Sequence, residues 1–275
     1  MLKKSKLFFV YALIAVLASL FTLSGCSKIR DLDAIKKSGE IVMYTNAEFP
    51  PYEYIGASGK PEGLDVDIAG EIAKDIGCTL RIINASFDGF SLALQNGQAD
   101  MGVSAISITT DRKETLDFSL PYVVTIQYIL VMADNNSVST IDDLAGKKIA
   151  VQLGTTGDFL ISEQIDGGVL QDTGAQIVQY KSLQEAVLAL KKGDLGAVVS
   201  DEGPIKNLAA QNNDTICFKA ALASGSIDEE PYGIAVHKGN KELLSAINNT
   251  LNKLIASGFV ESKRSYHADQ SISKD

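Results

Sequence analysis

Short runs rich in Val, Ile and Tyr alternate along this chain with longer stretches whose apolar residues recur at helical spacing, and this alternation limits the folds open to it. Residues 41–46 read as a strand. Val66, Ala69, Ile72, Ala73 and Ile76 then return every three or four residues until Gly77, which predicts a helix that stops there. Residues 78–83 read as the next strand, 90–95 as a short helix and 101–106 as another strand. The pattern resumes with strands at 148–152 and 196–200. Between them Ser182 and Glu185 have capping-box spacing ahead of Val187 and Leu190, and Gly193 follows. Alternation of this kind predicts α/β architecture with parallel sheets flanked by helices, and a ligand crevice at the carboxyl ends of the strands. Leu243, Leu244, Ile247, Leu251, Leu254 and Ile255 form one apolar stripe before Gly258, which predicts a core helix. Residues 122–132 are apolar and not followed at once by a helix, as expected of a connector between two lobes.

The first 25 residues follow a different logic. Lys3, Lys4 and Lys6 precede an apolar run over residues 7–23, the layout of a secretory signal. A run of this length also approaches the roughly 20 residues that span a bilayer, so an uncleaved anchor is the alternative. Leu23-Ser24-Gly25-Cys26 resembles the lipobox of bacterial lipoproteins, in which the cysteine becomes the lipidated N-terminus. Two or more acyl chains there would hold the protein at a membrane surface. Residues 27–38 are short and charged, as a tether would be.

Composition excludes several classes of function. Beyond residue 25 the chain has 22 basic and 34 acidic residues, a net −12, which argues against nucleic acid as a partner. With 45% hydrophobic and 21% charged residues it can bury a sizeable core. His237 and His267 are 30 residues apart and there is no Cys-x-x-Cys pair, so a metal site or a histidine triad has little to build on. Cys78 and Cys217 admit two readings: an export-compatible disulfide, or two small buried hydrophobes.

The residues that could bind a ligand sit where the strands end. Arg112 lies in "SITTDRKETLDFSLPY", among Ser104, Ser107, Thr109 and Thr110. An arginine fork matches a carboxylate, and hydroxyls and amides can complete its coordination; pairing with Asp111, Glu114 or Asp117 is the alternative. Asp201 follows the 196–200 strand, where it can neutralise an ammonium group, cap the next helix, or do both. Phe49 and Phe87 are candidate plates for a ligand side chain or ordinary core residues. Gly154-Thr155-Thr156-Gly157 is a polar turn without the lysine of a phosphate-binding loop. Together these residues suit a free α-amino acid.

The motifs "TNAEFPPYEY", "GLDVDIAGEIAKDIG", "FDGFSLALQNGQAD", "SITTDRKETLDFSLPY", "GTTGDFL", "SDEGP" and "EPYGIAV" follow one another in an order that resembles the extracytoplasmic solute-binding proteins of the polar amino acid class, family 3, which serve ABC importers. The resemblance runs from about residue 39 to 259. It implies a two-lobed, type II periplasmic-binding-protein-like fold with the ligand in the interlobe cleft. A lipoprotein signal would occupy 1–25 and a tether 26–37. The first lobe would be 38–122 with 233–275, the second 127–228, and the hinges would lie near 122–126 and 228–232. By motif match, Arg112, Ser107 and the backbone at Ala105 would hold the ligand carboxylate, helped by Thr156 from the other lobe, and Thr155 is a further ligand-binding candidate. Asp201 would hold its ammonium, and Asn46, Phe49 and Phe87 would line the side-chain pocket, tuned by Glu48 and Gln152. The implied partners are a free polar or basic L-amino acid, permease subunits, and a membrane through lipid on Cys26. The implied protein is a monomer, without cofactor, metal or catalytic residues. The alternatives are a sensory lipoprotein and a cyclohexadienyl or arogenate dehydratase-like enzyme on the same scaffold, which needs a general acid over its substrate.

Overall fold

The computed structural model describes residues 29–272. Cys26 and the apolar run before it lie outside the described residues. Two five-stranded sheets form the frame. The first runs Thr79–Asn84, Glu40–Thr45, Met101–Gly102, Ala235–His237, Leu116–Phe118; the second runs Gln176–Tyr180, Lys148–Gln152, Ala197–Asp201, Gln127–Met132, Thr215–Lys219.

In each sheet the first three strands are parallel and the fourth is antiparallel to its neighbours, so the sheets are mixed rather than parallel throughout. The reason lies in the connections. Gln127–Met132 and Ala235–His237 each follow a hinge strand directly, with no crossover helix to turn the chain parallel. The hinge strands, Val123–Thr125 and Glu230–Tyr232, pair antiparallel as a two-stranded ribbon.

Most helices form where periodicity predicts. Leu64–Ile76 buries Leu64, Ile68, Ala69, Ile72 and Ala73 and ends at Gly77 in the left-handed region. Each of the leucine and isoleucine side chains contributes about 1.5–3 kcal/mol on burial. Lys241–Ala256 buries Leu243, Ile247, Leu251 and Leu254, whereas Ile255 falls on the outer face and is 44% exposed.

Several expectations need correction. Ser182 occupies the N-cap of Leu183–Lys191, but its hydroxyl bonds Gln184 Oε1 and caps nothing. The 101–106 strand shortens to Met101–Gly102, because Ala105 takes φ 46° and turns the chain out of the sheet. The second half of the expected tether is structured: Asp31 caps helix Leu32–Ser38, Ile35 is fully buried, and Arg30 pairs with Asp100. Cys78 and Cys217 sit in different lobes as free, half-buried thiols.

The lobes also meet along the C-terminal helix, Phe259–Ile272. On the first lobe Asp67 accepts from Lys263 and contacts His267 Nε2, at 2.9 and 3.0 Å. On the second, Asn207 donates to the Ser271 hydroxyl and Gln211 to its carbonyl, both at 2.7 Å.

Candidate functional site

Four strand ends converge between the lobes on one small cavity, of about 10 Å³. Glu40–Thr45 delivers Asn46, Met101–Gly102 delivers the turn from Ser104 to Ser107, Lys148–Gln152 delivers Gly154 to Thr156, and Ala197–Asp201 ends in its own aspartate.

Arg112 lies in helix Thr110–Thr115, whose N-cap Thr109 accepts the Arg112 amide at 3.2 Å. Its guanidinium donates to Ser107 O at 2.8 Å and, across the cleft, to Gly154 O at 3.0 Å. The rings of Phe87, Phe90 and Phe159 stand 5.6, 5.4 and 6.0 Å from it. Among the described residues Arg112 makes no ion pair, and Asp117 pairs with Lys238 instead. Burial lowers the arginine to about 10, which leaves it a cation at neutral pH. A guanidinium has five N–H donors, so it keeps capacity for a further anion.

At Gly154 the second lobe runs close against the first. With φ 79° this residue occupies a region that favours glycine, and a Cβ there would lie 3.4 Å from the Asp88 backbone of the other lobe. Asp158 holds this turn by accepting the Gly154 amide at 2.9 Å. Thr155 caps helix Thr156–Asp166, its hydroxyl donating to Gln152 O at 2.7 Å. The Thr156 hydroxyl instead faces Ser107, 3.4 Å away on the opposite lobe.

Asp201 stands at the N-cap of helix Glu202–Gln211, yet its side chain makes no cap bond. It turns into the cleft, where Gln127 Nε2 and the Tyr232 hydroxyl donate to it, the latter at 2.5 Å. Burial first, and then the neighbouring Glu230 carboxylate, push its carboxyl up to about 7. The capping alternative is thus set aside by the geometry.

Asn46 and Gln152 bridge the lobes through Gln152 Nε2 to Asn46 Oδ1 at 2.8 Å. Phe49 and Phe87 line the cavity and also pack, Phe49 against Tyr52 and Phe87 against Phe90, so the two readings of each coexist. Ala105 lines the cavity, but its amide is committed to Asp65 Oδ2 at 2.7 Å and is not free for a ligand carboxylate. Glu48 is exposed and lies outside the cavity lining: in the two-residue strand Glu48–Phe49 side chains alternate, and Phe49 takes the inward place.

Sequence reasoning missed Gln127, Tyr232, Glu53 and Asp65. Tyr232 lay within "EPYGIAV", and Glu53 and Asp65 within "TNAEFPPYEY" and "GLDVDIAGEIAKDIG". The available signal was an acid set among apolar neighbours.

The comparisons with known proteins agree with this geometry. The model of the bacterial extracellular solute-binding proteins, family 3, matches residues 41–266. A probable histidine-binding protein of Neisseria gonorrhoeae is 34% identical over 78% of this chain and 77% of its own length. The structure of the amino acid ABC transporter substrate-binding protein AbpA from Streptococcus pneumoniae, bound to L-arginine, is 29% identical with a TM-score of 0.81. It covers 88% of this chain and 100% of its own. An ancestral arginine-binding protein bound to glutamine is 34% identical with a TM-score of 0.74, covering 83% and 97%. The chain belongs to the bacterial extracellular solute-binding proteins, family 3, and is a binding protein rather than an enzyme.

Proposed function

We propose that this protein captures a free amino acid outside the cytoplasmic membrane and presents it to an ABC importer. The observation that carries the reading is the opposition of a buried cation, Arg112, to a buried acid, Asp201, across one cavity between two hinged lobes. A zwitterionic α-amino acid offers a carboxylate to the first and an ammonium to the second. Ser107 and Thr156 complete the carboxylate's surroundings, and Asn46, Phe49, Phe87 and Gln152 receive the side chain. The named cargoes of the relatives and neighbours are histidine, arginine and glutamine, which support the amino-acid class without fixing its member.

The mechanism is a population shift: a ligand that touches both lobes stabilises only the arrangement in which they meet, and the hinge ribbon lets them part. Closure is then the signal that the importer reads. Lipid on Cys26, after removal of residues 1–25, would keep the protein at the membrane where the permease sits.

A thermal-shift screen of residues 27–275 against the twenty amino acids tests the reading. A ligand at 100 times its dissociation constant adds about 2.7 kcal/mol, which raises Tm by roughly 5–10 °C for a chain of this size. No shift with any of them would refute amino-acid capture.

A further inference from the structure

Glu53 lines the same cavity from below, is 1% exposed, and has one carboxyl oxygen, Oε2, that accepts no hydrogen bond. Its other oxygen accepts from the Ser104 hydroxyl at 2.8 Å. Asp65, which is fully buried, accepts from the next residue of the same turn, the Ala105 amide, so two buried carboxyls hold consecutive residues. Two carboxylates buried at one site cannot both stay ionised, so one of them keeps its proton. Asp65 accepts from that amide at 2.7 Å and from the Tyr122 hydroxyl at 2.9 Å, so it is the ionised member of the pair. The proton therefore belongs on Glu53 Oε2, the oxygen with no donor.

We propose that Glu53 and Asp65 form a one-proton carboxyl pair that acts as a positioning device beneath the ligand cavity, holding the Ser104–Ala105 turn against the hinge. The pair ties together three parts of the cavity. Through Ser104, whose oxygen also accepts the Asn46 amide at 3.0 Å, it fixes the end of the Glu40–Thr45 strand. Through the Ala105 amide it holds a non-glycine residue at φ 46°, a conformation that L residues seldom adopt. Through Tyr122 it reaches the residue just before the first hinge strand.

Burial and the facing Asp65 raise the Glu53 carboxyl well above its ordinary range, and burial raises Asp65 to about 6, in agreement with the proton residing on Glu53. The titratable and charged groups that face the pair are Tyr122 at the hinge, Tyr52 from the neighbouring loop, Asp201 across the cavity and Arg112 on the cavity wall of the same lobe.

Loss of the proton would place two like charges side by side under the cavity. Because the folded chain holds a proton that the unfolded chain releases, the pair's contribution to stability falls as pH rises above the ordinary glutamate range. Glu53→Gln replaces the proton with a permanent N–H donor.

Infrared difference spectra between the natural protein and Glu53→Gln test the pair directly. A protonated-carboxylic-acid band at pH 7, present in the natural protein and absent from the variant, supports it; no such band overturns it. Should Glu53→Gln not fold, Asp65→Asn takes its place: it takes away the neighbouring charge, lets Glu53 ionise, and removes the same band. In thermal unfolding, the Tm difference between Glu53→Gln and the natural protein should move in the variant's favour from pH 5 to pH 8, whereas a constant difference refutes the proposal. The consequence for binding rests on the amino-acid reading above. With L-histidine, L-arginine and L-glutamine as probes, the ratio of Kd at pH 8.5 to Kd at pH 7 should be smaller in Glu53→Gln than in the natural protein, and equal ratios count against the positioning role. If none of the probes binds the natural protein, the amino-acid reading fails for them while the infrared band still decides the pair.

Discussion

Arg112 and Asp201 face one cavity from opposite lobes, and the fold buries them by opposite means. The cation rests on three aromatic faces and two carbonyl oxygens, none of them charged. The acid is surrounded by donors from Gln127 and Tyr232, with a second acid, Glu230, nearby. Desolvation acts on both, yet its outcome differs. An arginine lowered to about 10 is still charged in the cell, whereas an aspartate raised to about 7 stands at the point of neutralisation. One wall of the cavity is a fixed charge and the other is an adjustable one.

The comparison is broken most completely from the fixed side. Arg112→Ala removes two or more hydrogen bonds to a carboxylate at about 1.5–3 kcal/mol each, so Kd measured by calorimetry should rise by roughly 10²–10⁴-fold. A folded variant that loses less than tenfold would show that this cation is not the clamp. On the adjustable side, Asp201→Asn keeps the side-chain shape and removes the charge, for an expected loss of roughly 10–100-fold.

Asp201→Asn also sharpens the contrast through pH. An ammonium group prefers the ionised aspartate, so binding to the natural protein should tighten as pH rises through about 7, and the asparagine variant should lose that dependence. The unliganded protein runs the other way. Because the folded carboxyl sits above its ordinary 3.8, stability falls as pH rises from about 4 to 7, and it should fall less in the variant. Asp65, at about 6, keeps part of the decline. The smallest expected effect belongs to Phe159, half exposed and 6.0 Å from Arg112. Phe159→Ala should weaken binding only a few-fold, about 0.5–1 kcal/mol; a larger loss would mean the cation depends on all three rings.

Much of this was legible in the sequence because the site is built at strand ends, where periodicity stops and polar residues begin. Arg112, Asp201, Ser107 and Thr156 announce themselves that way, whereas Gln152 came only from the family resemblance. Glu48 misled because a two-residue strand gives no period from which to tell the inward side chain from the outward one, and Phe49 faces in. Ala105 lay in an apolar run that read as strand, and nothing local signals that its amide turns to an acid 40 residues away. Glu53 and Asp65 escaped notice because an acid is exposed by default, and only tertiary contacts reveal a pair that shares a proton. The mixed sheets were hidden for a related reason: strand direction is set by where the hinge delivers the chain, and alternation does not encode it.

The C-terminal helix carries a practical lesson for anyone instrumenting this protein. It is fastened to one lobe through Lys263 and His267 and to the other through Ser271, so it bridges a working joint. A fluorophore placed there reads the joint's travel, and a bulky tag placed there loads it.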